Sequence, residues 1–244
     1  MSQFERTQEL LGQDAIQKLQ NSNVIVFGVG GVGGYVVEAL VRAGIGEISI
    51  VDNDTVSESN LNRQIIALHS TIGRAKVDVV EERALDINPN LKIHKHNTFV
   101  LPENLNQFDL TKYDYIVDCI DTVSTKIALI EKLATLQRQN FQFSTFNFPF
   151  ITCLGTGNKL DPMAFKVSTI EKTSVCPLAR VMRRELKARG ISGVKCVYSE
   201  EEPRNVVAQE ENGRHAPGSV SFVPAAAGLL IAGTVVKDLI AREN

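Results

Sequence analysis

The sequence predicts an α/β fold with a doubly wound, mostly parallel sheet, a crossover segment and a C-terminal helix. Three observations lead to this prediction. Short apolar runs alternate with amphipathic stretches, a glycine-rich turn follows the first apolar run, and an acidic residue ends the second. Such alternation builds β-α-β units with parallel strands. At 244 residues and 43% hydrophobic content, the chain is long enough to bury a full core.

The first part of the chain carries the clearest alternation. We expect helices over residues 13–20, 33–43 and 73–87. Strands are expected over residues 24–27, 47–51, 91–96 and 115–119. Because the carboxyl ends of parallel strands meet at one edge of a sheet, the polar residues that follow these strands should share one crevice.

The later part of the chain is less regular. Residues 161–216 are charged and contain one clear helix, residues 178–189, which indicates a crossover segment beside the crevice. We expect a closing strand over residues 219–223 and then an alanine-rich helix. The chain is therefore predicted to be one domain, residues 1–244, with a core of about 22–160, the crossover of about 161–216, and a closing strand and helix of about 217–244.

The glycine-rich turn indicates nucleotide binding in a Rossmann-like unit. Its glycines allow a tight turn and a close approach to phosphate, while the helix they open points backbone N–H groups at the anion. Asp52, at the end of the next strand, can accept hydrogen bonds from ribose hydroxyls. The glycines that we expect to contact the nucleotide are Gly28, Gly30, Gly31 and Gly33.

The segment after Asp52 distinguishes this chain from a dinucleotide-dependent dehydrogenase. It supplies polar groups and two cations, Arg63 and Lys76. These cations can neutralise the charge of a triphosphate, which exceeds that of a dinucleotide pyrophosphate.

Taken together, these motifs resemble the ThiF/MoeB/HesA family of adenylating enzymes, relatives of the ubiquitin-activating enzymes. The resemblance rests on GVGGVG, Asp52, SNLNRQ at residues 59–64, Lys76 and DCID at residues 118–121. Later segments resemble the subgroup that dehydrates threonylcarbamoyladenosine in tRNA, beside the anticodon. These segments are residues 157–162, 172–186, 198–203 and 218–224.

The resemblance implies ATP and Mg²⁺ as cofactors and adenylation of a carboxylate as the first chemical step. It implies catalytic roles for Arg63, Lys76, Asp121 and Arg6, with Asp121 also as metal ligand. Nucleotide contacts are implied for the four glycines and for Asp52, Ser59, Asn60, Arg63, Gln64, Lys76 and Asp121. Asp118 can equally be a structural hydrogen-bonding acid.

Two further implications concern partners. In the family, an N-terminal arginine reaches the triphosphate of the other subunit, so Arg6, placed before the first helix, implies a homodimer. A helix would display Arg180, Arg183, Arg184 and Lys187 as one basic stripe, suited to a tRNA backbone or, in the plainer interpretation, simply solvated. The family also connects some members to cysteine-desulfurase or sulfur-acceptor partners.

Charge and cysteine content narrow the class of protein. The net charge of −2 excludes a global polycation, so nucleic-acid contact requires a local patch. The four cysteines form no CxxC pair, which argues against structural zinc, and no signal peptide is evident, which favours a cytoplasmic protein. Cys119 and Cys153 are expected in the core, whereas Cys176 precedes Pro177 in a segment that can be mobile. The four histidines show no metal-ligand spacing.

Two segments leave alternatives open. Residues 216–236 lack charge and are long enough to span a membrane, although their prolines and glycines favour a packed helix; membrane contact of the C-terminal helix stays open. Residues 141–150 carry five phenylalanines in an alternating pattern, more than the family pattern leads us to expect. Core packing is favoured there over a subunit or base contact.

Two other functions remain as alternatives. One is an adenylating enzyme for the C-terminus of a ubiquitin-like sulfur carrier, or a non-catalytic nucleotide-binding partner in sulfur traffic; the absence of paired CxxC ligands weakens it. The other is an NAD-dependent oxidoreductase, which would leave Arg63 and Lys76 without a role.

Overall fold

The computed structural model describes residues 3–140, 145–204, 209–211 and 214–242. These residues contain seven α-helices and nine strands. The helices are α1 (Glu5–Leu11), α2 (Gln13–Gln20), α3 (Gly33–Ala43), α4 (Lys76–Ile87), α5 (Val123–Asn140), α6 (Pro177–Ala188) and α7 (Phe222–Ile240). The strands are β1 (Asn23–Phe27), β2 (Glu47–Val51), β3 (Lys92–His96), β4 (Tyr115–Asp118), β5 (Phe150–Cys153), β6 (Phe165–Thr169), β7 (Lys195–Ser199), β8 (Gln209–Glu211) and β9 (Arg214–Ala216).

The main sheet has seven strands in the order β3-β2-β1-β4-β5-β7-β6. All neighbouring pairs are parallel except β6 and β7, which are antiparallel. Strands β8 and β9 form a separate antiparallel pair. The predicted mostly parallel α/β fold, with its C-terminal helix, is therefore confirmed.

The central strands divide their side chains between two apolar layers. Along β1, Val24 and Val26 pack into the layer that includes α3, α4 and α7. Ile25 and Phe27, on the opposite face, pack into the layer that includes α5 and α6. Burial on both faces explains why the central strands are nearly continuous apolar runs rather than alternating ones.

Helix α7 packs against α3 at a glycine. A Cβ on Gly228 would lie 2.5 Å from the carbonyl oxygen of Val32 and 2.9 Å from Cβ of Tyr35. This close approach places the alanine-rich helix beside the glycine-rich turn. Among the described residues, α7 is the one helix with the length and hydropathy of a membrane span, and Phe222 and Leu229 on it are exposed.

Several elements differ from the predictions. The prediction of a closing strand over residues 219–223 was wrong, because residues 219–221 are irregular and α7 begins at Phe222. Residues 161–216 are more than a crossover, since they contribute β6 and β7 to the sheet. Helices α1 and α5 had no counterpart in the predictions. Arg6 was wrongly placed before the first helix, for it lies within α1.

The phenylalanine-rich segment is partly described. Residues 141–144, with Phe141 and Phe143, lie outside the described residues. Phe146 and Phe150 are buried and meet edge to face, with ring centroids 5.8 Å apart. Core packing is therefore confirmed for these two rings, whereas Phe148 is half-buried.

Candidate active site

A cleft of about 550 Å³ lies at the carboxyl ends of five adjacent parallel strands. Segments that follow β1, β2, β3, β4 and β5 all contribute to its lining, as the strand-end rule predicts. Of the residues singled out from sequence, the cleft is lined by Gly28, Gly30, Gly31, Asp52, Asn60, Arg63, Gln64, Lys76 and Asp121. Gly33, Ser59, Arg6 and the basic stripe do not line it.

The glycines of the turn have two different physical roles. Gly28 has a φ of +83°, and a Cβ there would lie 2.8 Å from the carbonyl oxygen of Cys119, so the turn requires glycine. A Cβ on Gly33 would lie 1.8 Å from the carbonyl oxygen of Gly28. Gly33 thus lets α3 start directly behind the turn, whereas Gly30 and Gly31 face the cleft.

The carboxylate of Asp52 is held in place by two backbone N–H groups. Val29 donates to Oδ2 and Asp54 donates to Oδ1, each at 2.9 Å. Each carboxylate oxygen retains capacity for another donor. The side chain is half-buried at the end of β2, so it can accept from a ribose without needing to reorient.

Arg63 is oriented by its own segment. Its Nη1 donates to the carbonyl oxygen of Ser59 at 2.9 Å and to Oδ1 of Asn62 at 2.8 Å. Ser59, which does not line the cleft, therefore helps to orient Arg63. The hydroxyl of Ser59 lies 2.9 Å from that of Ser57. The half-buried guanidinium of Arg63 lines the cleft and keeps further N–H groups for an anion.

Asn60 and Gln64 lie on either side of this arginine. Asn60 is buried, and its Oδ1 accepts from the backbone N–H of Ser57 at 3.2 Å. Gln64 is 7% exposed, and its Oε1 has no hydrogen-bond partner among the described residues. A buried polar atom left unpaired beside a cleft is a position that a ligand can satisfy.

Lys76 is a buried cation at the first residue of α4. It is 5% exposed, and its Nζ donates to Oδ2 of Asp54 at 2.7 Å. The carboxylate of Asp54 is largely exposed and also lines the cleft. The ammonium is thus held in the cleft lining by a counter-ion that is itself open to solvent.

Asp118, the last residue of β4, and Asp121, three residues later, differ in burial. Asp121 is exposed in the cleft, and its Oδ1 accepts from the hydroxyl of Thr122 at 3.2 Å. Asp118 is fully buried and pairs with Lys126 at 3.0 Å, and it also accepts from Thr152 and from the backbone N–H of Ile120. Asp118 is therefore the structural acid that the sequence allowed, and it braces the turn that carries Asp121.

The cysteines are not placed for nucleophilic chemistry. Cys153 lines the cleft, but burial raises the pKa of its thiol to about 12. Cys176 is 1% exposed at the start of α6. Among the described residues, no three His, Cys, Asp or Glu side chains are close enough to hold a metal together.

The basic stripe of α6 lies outside the cleft. Arg180, Arg184 and Lys187 are exposed. Arg183 is half-buried and donates to the carbonyl oxygen of Thr173 at 2.8 Å and to its hydroxyl at 2.6 Å. Three of the four charges are consequently presented to solvent, while Arg183 also ties α6 to the preceding loop.

Some cleft residues were not found from sequence. Thr98, Phe99 and Val100 follow β3, and applying the strand-end rule to β3 would have identified them. Phe99 is 46% exposed, which gives the cleft an accessible aromatic ring. Residues 154–157 follow β5, a strand hidden by the phenylalanine-rich segment.

The fold and the cleft define a nucleotide-binding protein with a Rossmann-like sheet and two cations, Arg63 and Lys76, in the cleft lining. The chain belongs to the ThiF family, whose family model matches residues 4–244. It is 38% identical to the tRNA threonylcarbamoyladenosine dehydratase of Bacillus subtilis, over 98% of this chain and 95% of the relative. The structure of the E. coli tRNA N6-threonylcarbamoyladenosine dehydratase in complex with ATP is similar, with a TM-score of 0.84 and 34% identity, covering 98% of this chain and 94% of that one.

Similarity to adenylyltransferase and sulfurtransferase proteins covers less of the chain. The adenylyltransferase and sulfurtransferase of Lodderomyces elongisporus is 40% identical, but the match covers 44% of this chain and 24% of that protein. Because so little of each chain is covered, this match does not favour the alternative function, adenylation of the C-terminus of a sulfur carrier protein.

Proposed function

We propose that this protein is an ATP-dependent enzyme that dehydrates threonylcarbamoyladenosine in tRNA by adenylating the threonine carboxylate. The observation that carries the proposal is the cleft itself. A braced acid (Asp52), a glycine turn and two cations (Arg63 and Lys76) meet in one space. Similarity to two dehydratases over nearly the whole length of the chain supports this choice of substrate.

The nucleotide is proposed to follow the order of the strands. Phe99 and Val100, after β3, offer an apolar surface for adenine, and Asp52, after β2, accepts from the ribose. The phosphates then lie over Gly30 and Gly31 at the N-terminus of α3. The charges of Arg63 and Lys76 stabilise the transition state at the α-phosphorus.

Adenylation begins with attack of a carboxylate oxygen on the α-phosphorus. The bond to the bridging oxygen breaks, pyrophosphate leaves, and an acyl-adenylate remains. The neighbouring carbamoyl group then attacks the acyl carbon and gives up a proton as AMP departs, so one water is removed overall. Because this nucleophile is already tethered, a cysteine thioester is not required. The high pKa of Cys153 and the burial of Cys176 agree with that.

Asp121 is the residue proposed to hold Mg²⁺. Its carboxylate is exposed in the cleft, and Thr122 donates to only one of its oxygens. Hard oxygen ligands of this kind suit Mg²⁺, which would neutralise charge on the phosphates. The turn that carries Asp121 is held by the buried Asp118–Lys126 ion pair.

The subunit arrangement that we infer is a homodimer. Arg6 lies exposed on α1 and does not line the cleft of its own chain. The triphosphate contact that the family implies for this arginine would therefore come from a second copy. For the tRNA, Arg180, Arg184 and Lys187 offer an exposed basic patch for the phosphate backbone.

From the tRNA substrate we infer a cytoplasmic location. In this interpretation α7 is a core helix that packs on α3 and does not span a membrane. We include no sulfur-acceptor partner, because Cys153, Cys176 and Cys196 are buried and burial also raises the pKa of the Cys119 thiol in the cleft lining.

The direct test is incubation of the purified protein with ATP, Mg²⁺ and tRNA that carries threonylcarbamoyladenosine, followed by mass spectrometry of the nucleosides. We expect loss of one water from the modified adenosine, with AMP formed in equal amount. Reactions without ATP, or with tRNA that lacks the modification, are the controls. ATP binding without any mass change would contradict the proposed substrate.

A further inference from the structure

The two ends of the cleft differ in chemistry. Most of its charged side chains, among them Asp52, Arg63 and Lys76, come from the segment after β2 and the start of α4, and Asp121 follows β4. The wall after β5 carries no charge. It consists of Leu154, Gly155, Thr156 and Gly157, joined by Leu178 and Ser219.

The order of the strands separates these ends by a definite distance. Strand β5 lies three positions from β2, in the order β2-β1-β4-β5. At about 4.8 Å per strand, the uncharged wall lies roughly 14 Å from Asp52. A nucleotide with its ribose at β2 and its phosphates over β1 leaves this wall for the group that attacks the α-phosphorus.

The uncharged wall carries two side-chain hydroxyls. Thr156 and Ser219 are both half-buried. In the described part of the chain, neither hydroxyl has a hydrogen-bond partner. A hydroxyl can donate and accept, so a pair of them suits a neutral ligand that has both kinds of group.

The segments that carry these hydroxyls are fixed relative to each other. Asn158 donates its backbone N–H to the carbonyl oxygen of Gly218 at 2.7 Å, and a Cβ on Gly157 would lie 2.6 Å from Cβ of Pro217. Asn62 donates from Nδ2 to the carbonyl oxygen of Ser219 at 3.0 Å, which joins this wall to the Arg63 segment. A site held by such contacts can position a ligand relative to the phosphates.

We propose that the wall after β5, through the hydroxyls of Thr156 and Ser219, binds the side-chain hydroxyl of an N-carbamoylated amino acid. Its carboxylate then faces the α-phosphate. This inference rests on the proposed function. It identifies the part of the proposed site that selects the carboxylate substrate.

The test compares two substrates and two variants. Thr156→Val and Ser219→Ala are assayed at saturating ATP with tRNA carrying either threonylcarbamoyladenosine or its glycyl analogue, which lacks the hydroxyl. We expect wild type to prefer the threonyl substrate. In each variant, kcat/KM for that substrate should fall about tenfold to hundredfold, while the glycyl substrate changes little, so the preference is lost.

Controls separate a specific effect from a structural one. The dissociation constant for ATP should stay within about twofold of wild type in both variants, because the ribose and phosphate contacts are elsewhere. Thr135→Val removes a hydroxyl that bonds within α5, far from the cleft lining, and should keep the threonyl preference. Melting temperatures identify any variant that fails to fold, and the other variant then carries the test.

The outcomes distinguish this inference from the proposed function. If wild type removes no water with ATP, the proposed function fails and this inference falls with it. If wild type is active but both variants keep its preference for the threonyl substrate, only this inference is overturned.

Discussion

Asp54 accepts a hydrogen bond from Nζ of Lys76 at 2.7 Å, and its backbone carbonyl accepts from the backbone N–H of the same lysine at 2.9 Å. The backbone N–H of Asp54 in turn donates to Asp52. One residue therefore connects the acid at the end of β2 to the buried cation at the start of α4. The site expected to hold ribose and the site expected to hold phosphate are positioned together.

We expect Asp54→Asn to lower the free energy of unfolding of the nucleotide-free protein by about 1 to 2 kcal/mol, because a buried ammonium loses its counter-ion. A bound triphosphate would restore that charge. ATP should therefore raise the melting temperature of the variant more than that of wild type, as measured by thermal unfolding. An equal ATP-induced shift in both proteins would argue against displacement of Asp54 by the nucleotide.

Arg63→Ala and Lys76→Ala should each reduce AMP formation by about a hundredfold to a thousandfold, because each removes charge that stabilises the transition state. Both variants should retain the far-ultraviolet circular dichroism of the folded protein. The matched control is Arg74→Ala, which removes an exposed cation paired with Glu82 outside the cleft. Unchanged turnover in both cleft variants would refute the adenylation mechanism.

Two glycines on α7 allow the same substitution to be compared in opposite environments. Gly228→Ala should destabilise the fold by about 1 to 3 kcal/mol, because its Cβ would meet the carbonyl oxygen of Val32. Gly233→Ala meets no atom within 4 Å and should stabilise the helix by up to about 1 kcal/mol. Denaturant unfolding measures both changes. Equal effects would mean that α7 does not pack on α3 as described.

Cys176→Ser should retain substantial dehydratase activity, since the tethered carbamoyl group needs no thiol. A modest loss of stability is expected, because the side chain is buried in an apolar layer. Turnover and melting temperature are measured together. Complete loss of activity in a variant that melts normally would point to a thioester intermediate.

Glu38 joins α3 to α4 and gives a pH-dependent prediction. Burial tends to raise the pKa of its carboxyl, but hydrogen bonds from Arg83 and Arg42 outweigh this and hold the pKa below its ordinary value of 4.5. A carboxyl with a lowered pKa in the folded state stabilises the protein above pH 4.5, and the stabilisation disappears as the pH falls through the folded-state pKa.

Glu38→Gln should therefore cost about 1 to 2 kcal/mol near pH 7, and the difference from wild type should vanish towards pH 3. Urea unfolding across that pH range checks it. Glu82→Gln, which removes an exposed partner of Arg74, should change stability by less than about 0.5 kcal/mol. A difference for Glu38→Gln that persists at pH 3 would contradict the assignment.

The first β-α-β unit was predictable because local rules act together there. The bounds of α3 and β2 match the predicted residues, and strong apolar periodicity, the glycine turn and the strand-end acid all indicate the same structure. Helix α5 was missed because it buries polar side chains, among them Thr125 and Lys126, which obscure the helical pattern. Strand β6 was missed because it is an edge strand with exposed Lys166 and Val167.

The error over residues 219–223 has a different origin. Alternating Ser219, Val220, Ser221 and Phe222 have the period of a strand, but Val223 and Pro224 are buried in the first turn of α7. Packing of α7 on α3 therefore decides the start of this helix, against the local pattern. Pro224 is compatible with that position, since the first turn of a helix needs no N–H from it.

The sequence by itself determined the parallel α/β core, the nucleotide cleft at its strand ends and the residues Asp52, Arg63, Lys76 and Asp121 that line it. Only the tertiary structure decided that Gly33 packs a helix, that Asp118 is bound by Lys126, that Asp54 holds Lys76, and that an uncharged wall follows β5. The physical reason is the separation along the chain over which each kind of interaction acts. Turns and periodic patterns act between near neighbours along the chain, whereas buried ion pairs and cleft walls join segments that meet only when the sheet assembles.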